Sequence, residues 1–497
     1  MSTTAEFSGA LKLISLDDFI TPSQECIKPV EVVKSGKKSG RIVVETDGSY
    51  SEVADTGEKQ RLSKASITLQ DCLACSGCVT SAEAILIERQ THYELIRALE
   101  RKRTGDNLCV IVTVSPQSRA SLAVAAKLSL SEAGRCIVNF LKSKGVDYVF
   151  DSTFARNFAL LATGQEFVDK VVECSQNPDS KPFPTILSGI CPGWVCYAEK
   201  SHGEYILPHI SRVRSPQAIM GRLVKDYIAH KLGLSPSEIY HATVMPCFDK
   251  KLEASRSDFL TPGSAVPDVD CVVSTAEFEL LVSECSSGLS EFADSSYGDE
   301  DNSLGLPKSL FLSSDESANR SHSGGGSGGY ADFVFRYASQ HLSPAGSSLV
   351  EVDVDFKPVK NKDFQEMSSA DVSVSPALNS PLRVAKAYGF RNIQMLIQRL
   401  KKQRCTYHYV EVMACPSGCL NGGGQIRASS VEEQRDLLQT VESVYNSANL
   451  ICPEQNPDFK QLLSDWLGDL SSEKSRDCLY TDYHAVPKTI EPLTIKW

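Results

Sequence analysis

Seven of the 17 cysteines fall in four short contexts: Cys72-Leu73-Ala74-Cys75-Ser76-Gly77-Cys78, Cys191-Pro192-Gly193-Trp194, Met245-Pro246-Cys247 and Ala414-Cys415-Pro416-Ser417-Gly418-Cys419. In the first, two-residue gaps let three thiolates converge from one tight loop, a spacing used by 4Fe-4S ferredoxin sites. The ferredoxin run would supply a further Cys-Pro just downstream, but Val79-Thr80-Ser81-Ala82 follows. A fourth ligand must therefore come from elsewhere, and Cys26, in Pro22-Ser23-Gln24-Glu25-Cys26-Ile27, is the nearest upstream candidate. Zinc could be held by the same thiolates, and spacing alone leaves that alternative open. Taken together, the groups suggest two metal centres in one polypeptide.

The rest of the composition agrees. Without a secretory leader, 17 cysteines would make a hazardous disulfide set in a reducing compartment, and their close spacing favours thiolate coordination. The amino terminus offers neither a basic segment followed by an apolar core nor the Arg-rich bias of a transit peptide. No apolar run approaches the roughly 18 residues that a membrane span needs. These features predict a cytosolic protein. A net charge of -11 opposes non-specific binding to nucleic acid or anionic membrane, so the expected partners are proteins.

Elements that could position the cysteines are visible in the hydrophobic pattern. A chain of 497 residues exceeds the size at which one core stops growing, which predicts two or three domains. Residues 1–105 lack a sustained αβ rhythm, although 84–103 read as a helix directly after the cysteine triplet. From residue 106, short β-branched or apolar runs recur at 109–114, 146–150, 185–187, 242–245, 269–273 and 407–413, as buried parallel strands do. Helical stretches lie between them; Ile393, Leu396, Ile397 and Leu400, for instance, form one apolar face. The alternation predicts an α/β domain over 106–430. Three of its strands run directly into Cys191, Cys247 and Cys415, where open parallel sheets place ligands. Residues 286–323 are rich in Ser, Asp, Glu and Gly and read as a flexible insertion. The stretch 357–380 reads as loop beside an edge strand at 350–356, and 431–497 as one helix around Val441 to Ala448 followed by a polar tail.

Three longer segments carry a resemblance. Leu187-Ser188-Gly189-Ile190-Cys191-Pro192-Gly193-Trp194, Val244-Met245-Pro246-Cys247-Phe248-Asp249-Lys250, and the run from Glu411 through Cys415 and Cys419 to Gly424 resemble, in order, the signature segments of iron-only hydrogenases. Similarity spans roughly residues 107–426. It implies a two-lobed α/β domain with mostly parallel sheets flanked by helices, here preceded by a small iron-sulfur domain. In that family the cysteines matching Cys191, Cys247, Cys415 and Cys419 hold a 4Fe-4S cubane between the lobes, the last also bridging to a catalytic diiron unit. Lys250 matches a lysine that contacts the diiron ligands.

One departure separates this chain from the hydrogenases. They carry a proton-donating cysteine immediately before the position of Cys191, and Ile190 stands there instead. An alkyl side chain neither donates nor accepts a proton. With Cys26, Cys72, Cys75 and Cys78 ahead of such a domain, the whole chain resembles the eukaryotic iron-only hydrogenase-like proteins related to nuclear prelamin A recognition factor. That resemblance implies two 4Fe-4S clusters and no catalysis. It also implies a cytoplasmic role, with the nucleus as a second compartment, linking an early P-loop scaffold to the targeting complex that serves apoproteins. A hydrogenase-like redox enzyme and a prelamin-type binding protein with structural clusters are the alternatives. The terminal Ile495-Lys496-Trp497 resembles the aliphatic-x-aromatic tripeptide that docks on the WD40-repeat protein and adaptor of that complex, though Lys496 departs from the usual acidic or small residue.

Remaining features are plainer. Gly324 to Gly329 lacks the Lys-Ser or Lys-Thr that a phosphate-binding loop requires, so it reads as a linker or a glycine loop near the cluster. The nine histidines show no metal-ligand spacing, and most cysteines outside the motifs are expected to be core thiols.

Overall fold

A computed structural model describes residues 87, 89–176, 183–293, 305–312, 320–342, 354–369 and 381–485, together with the backbone of five short strands between residues 11 and 61. Contacts divide the chain between Ile85 and Leu86, ahead of the boundary expected at residue 105. The first unit holds β1 (Leu11–Lys12) and β2 (Glu25–Cys26), which pair antiparallel, and a three-stranded antiparallel sheet of β3 (Gly40–Val44), β4 (Tyr50–Ala54) and β5 (Lys59–Arg61). Cys26 ends β2, opposite Leu11. Cys72, Cys75 and Cys78 lie outside the described residues.

In the second unit the strands run β6 (Cys109–Val114), β7 (Tyr148–Asp151), β8 (Ile186–Leu187), β9 (Ile239–Met245), β10 (Cys271–Ser274) and β11 (Arg320–Ser321). They continue with β12 (Lys357–Asn361), β13 (Phe364–Ser368), β14 (Arg383–Tyr388), β15 (Tyr409–Met413) and β16 (Asn449–Leu450). Two sheets result. One has the order β10-β9-β6-β7 and is parallel throughout. The other runs β12-β13-β14-β15-β8, with an antiparallel hairpin edge joined to three parallel strands. The two-lobed α/β architecture expected from the sequence is therefore present.

Local signals explain where the crossover helices begin. After β6, Ser115 accepts a hydrogen bond from Ser118 N with Pro116 at the first helical position, opening helix Pro116–Ala126. Reciprocal Ser-Glu capping boxes start the helices Leu130–Ser143 (Ser129, Glu132) and Thr275–Cys285 (Ser274, Glu277). Each such cap contributes about 1 kcal/mol. Val110, Val112, Val114, Val149, Ala242, Val244 and Val273 form the core between the first sheet and its helices. The near-continuous apolar runs of β6 and β9 follow from burial on both faces.

Several expectations need correction. The helix read over 84–103 proper starts at His92: Gln90 and Thr91 are held out of it while the Gln90 amide donates to Lys251 O and Ser255 Oγ. Instead of a loop, 357–368 forms the β12–β13 hairpin, turned where Asn361 Oδ1 accepts from Asp363 N at 2.9 Å. Its exposed Lys-Pro-Val-Lys-Asn strand hides the period-two pattern. Within the supposedly flexible 286–323 insertion, Leu306, Leu310 and Leu312 are buried. The polar tail contains two more helices, Pro457–Trp466 and Glu473–Leu479, capped by Asn456 and Ser472. Phe459 and Trp466 from the first of these pack edge-on against Phe158, with ring centroids 4.5 and 5.3 Å away. No helix among the described residues is long and apolar enough to cross a membrane.

Candidate metal centre between the two sheets

Three loops at the carboxyl ends of β8, β9 and β15 carry Cys191, Cys247, Cys415 and Cys419 to one cavity of about 70 Å³. That exceeds several-fold the roughly 10–15 Å³ that one water needs. Cys247 comes from the all-parallel sheet; the other three come from the second sheet. Ser188 places the Cys191 loop: its N–H donates to Val410 O at 2.9 Å, and its Oγ accepts from Val412 N at 2.9 Å. Cys191 then caps helix Pro192–Ser201, with Trp194 Nε1 donating to Ser188 O at 3.1 Å. Ala414 N donates to Cys191 Sγ at 3.3 Å, tying that thiol to the Cys415 loop.

Glycine is required where the loops meet. Gly418 has φ +78°, and a Cβ there would stand 2.1 Å from Ser327 Oγ, the atom that accepts from Cys419 N at 3.1 Å. A Cβ on Gly422 would meet Pro246 O at 2.4 Å, and that carbonyl accepts from Gly424 N at 2.9 Å. The loop bearing Cys415 and Cys419 is thus fastened to the loop bearing Cys247. Ser327 belongs to the Gly324–Gly329 run, so this run is a glycine loop beside the cysteines.

Burial pushes the Cys191 thiol up to about 12, with the neighbouring Cys419 and Asp249 adding to it. Cys247 is pushed well above the usual thiol range, first by burial and then by Asp249, Cys415, Cys191 and Cys419. Burial likewise raises Cys419. Four thiols in mutual electrostatic reach become thiolates together only when cationic charge is placed among them, as metal binding does. The donor set therefore fits a thiolate-ligated metal centre. Among the described residues no group of three or more His, Cys, Asp or Glu side chains is gathered as a single-ion site.

Beyond the sulfurs the cavity has a polar wall that the sequence alone did not reveal: Ser115, Gln117, Ser152, Arg156 and Tyr330 join Lys250 and Ile190. Lys250 Nζ is already paired with Glu253, at 2.9 and 3.1 Å. Arg156 is buried in the helix Thr153–Gln176 and donates to Tyr445 Oη at 2.9 Å. Tyr330 is fully buried, and its hydroxyl has no hydrogen-bond partner among the described residues. A buried polar group left unpaired costs about 1–3 kcal/mol. Signals existed for some of these: Ser115 and Ser152 directly follow strands of the parallel sheet. Of the cysteines outside the motifs, Cys136, Cys271 and Cys478 are buried, while Cys109 and Cys405 pack against the cores. Cys285 is exposed.

Residues 109–423 match the family described as iron only hydrogenase large subunit, C-terminal domain. The chain belongs to this iron-only hydrogenase-like family. Two solved structures of FeFe-hydrogenase from Chlamydomonas reinhardtii share the fold, at 24% identity. The apo form gives a TM-score of 0.65, covering 79% of this chain and 98% of that one. A variant gives 0.66, covering 80% and 99%. Within the family, similarity is far higher to the cytosolic Fe-S cluster assembly factor narfl of Xenopus tropicalis, 49% identical over 99% of this chain and 100% of the relative. Cytosolic iron-sulfur assembly component 3 of Rattus norvegicus is 49% identical over 99% of both chains. The hydrogenase-like family thus supplies the fold, and its assembly-factor members are similar over nearly every residue.

Proposed function

We propose that this protein is a component of cytosolic iron-sulfur protein assembly that carries two 4Fe-4S clusters and performs no catalysis. The observation that carries the assembly role is the near full-length identity to cytosolic assembly factors. Cys191, Cys247, Cys415 and Cys419 would hold one cluster in the cavity they share. Cys26, Cys72, Cys75 and Cys78 would hold the other, on the strength of their spacing. When bound, such a cluster supplies one-electron redox chemistry. The protein itself supplies the thiolates and the apolar shielding of Ile190, Met245 and Met413, which controls solvent access.

Ile190 supports the non-catalytic assignment, because it lines the cavity with a side chain that can relay no proton. The partners in this proposal are the early P-loop scaffold and the WD40-repeat targeting complex with its adaptor, the latter docked through Trp497, which lies outside the described residues. The working compartment is the cytoplasm, with the nucleus as a second. Depleting the protein should lower cytosolic and nuclear iron-sulfur enzyme activities while sparing mitochondrial ones, and a Cys415→Ala chain should not restore them. Unchanged cytosolic enzymes after depletion would sink the assembly role.

A redox enzyme is the second reading, favoured by the polar wall of Arg156, Lys250 and Tyr330 beyond the thiols. Hydrogen evolution from reduced protein supplied with a diiron cofactor would favour it.

A further inference from the structure

We propose that the Tyr330 hydroxyl donates a hydrogen bond to a sulfur of the metal centre held by Cys191, Cys247, Cys415 and Cys419, and so raises that centre's reduction potential. This rests on the proposed 4Fe-4S occupancy of the cavity.

Three observations converge on the phenol. Tyr330 lines the cavity that the four cysteines share. Its side chain is fully buried, yet its oxygen finds no partner among the described residues. Its ring is also fixed in place: Tyr330 opens the helix Tyr330–His341, and a Cβ on the preceding Gly328 would meet its Cε2 at 2.7 Å. A tyrosine hydroxyl sealed from water almost always finds an acceptor. The nearby cations cannot accept, since the Arg156 guanidinium carries donors only. Oxygens of Ser115, Gln117, Ser152 and Asp249 also line the cavity, but none of them is a hydrogen-bond partner of the phenol; the acceptors left are the thiolates of the cysteines and the inorganic sulfides of a bound cluster.

The rest of the glycine loop acts with it. Ser327 Oγ receives the Cys419 N–H at 3.1 Å, and Ala331 N donates to the buried Glu411 carboxylate at 2.9 Å. Both contacts anchor residues flanking Tyr330 and leave its phenol to serve the cavity. Hydrogen bonds to cluster sulfurs favour the reduced, more negative form, so each one moves the potential upward. Tyr330 is accordingly a positioning and tuning residue.

The test uses the full chain purified without oxygen, with Tyr330→Phe compared against the parent in a Cys75→Ala background so that the first centre contributes no signal. Tyr330→Phe should keep the parent's iron and sulfide content while its reduction potential, followed by electron paramagnetic resonance during a redox titration, moves to more negative values. In heavy water, an exchangeable deuteron coupled to the reduced centre should be seen in the parent by electron-nuclear double resonance and vanish in the variant. An unchanged potential together with an unchanged deuteron coupling overturns the inference. Should the parent itself bind no iron that depends on Cys247, the cluster assignment fails instead, a result separate from the Tyr330 comparison. If Tyr330→Phe does not accumulate, the deuteron measurement on the parent decides alone, absence of coupling counting against the proposal.

Discussion

The two sheets contribute unequally to the cavity. The all-parallel sheet β10-β9-β6-β7 sends one thiol, Cys247, together with Ser115, Ser152 and Lys250. The sheet β12-β13-β14-β15-β8 sends three thiols and ends in a hairpin whose β12 is wholly exposed. One lobe gives the cavity polar side chains and a single thiol, and the other gives it most of the sulfur. The charges follow the same division. Asp268, in the first lobe, is buried between Arg214 and Arg222, at 3.7 and 3.2 Å. In the second lobe the Arg383–Glu366 pair, at 3.3 Å, keeps about a third of each side chain exposed.

The largest test of this asymmetry is metal content. If both lobes are needed, Cys247→Ala should lose the second centre as completely as Cys415→Ala, each variant dropping about four irons per chain from the parent. Retention of iron in Cys247→Ala alone would show that three thiols from one lobe suffice. Next comes stability. Asp268→Asn leaves two buried guanidiniums short of a counter-charge and should cost about 3–5 kcal/mol in urea unfolding. Glu366→Gln should cost no more than about 1 kcal/mol, as a partly exposed pair does. Equal losses would erase the distinction between the lobes.

Acid sensitivity gives a graded comparison. Burial pushes His241 of the first lobe down to about 3 and His408 of the second down to about 4. The unfolded chain takes up a proton near 6.5, before either folded histidine does. Their contribution is therefore complete above about pH 6.5 and fades as pH falls toward the folded values. His241→Gln should flatten the acid limb of a stability-versus-pH curve more than His408→Gln. The smallest effect belongs to the surface: Val431, 88% exposed, should tolerate serine within about 0.5 kcal/mol by the same unfolding assay.

The strands that feed the cysteines were legible because their apolar runs are buried on both faces, as in Ala242 to Met245 and Val410 to Val412. β14 was not, since Arg383 and Lys386 interrupt its run; Lys386 reaches out of the sheet to donate to Gly324 O at 2.7 Å. The helices after residue 450 were lost for a different reason. Phe459 and Trp466 look sparse along the chain and become core only against Phe158, some three hundred positions earlier. At the site, the cysteines announced themselves by spacing, whereas Arg156 and Tyr330 carry no local signature and are defined by what surrounds them in three dimensions.

The segment leading into Cys191 depends on residues made much later. Arg212 and Arg214 exchange backbone hydrogen bonds with Thr481 and Leu479, both at 2.8 Å. Tyr483 Oη donates to Gly189 O at 3.2 Å, and His484 N to the Glu199 carboxylate at 3.0 Å. During synthesis the ribosome must therefore extrude almost this entire polypeptide before the loop ahead of Cys191 acquires its final brace. A product ending before Tyr480 would lack the Thr481, Tyr483 and His484 contacts, leaving Arg212, Gly189 and Glu199 without their braces from the carboxyl-terminal segment.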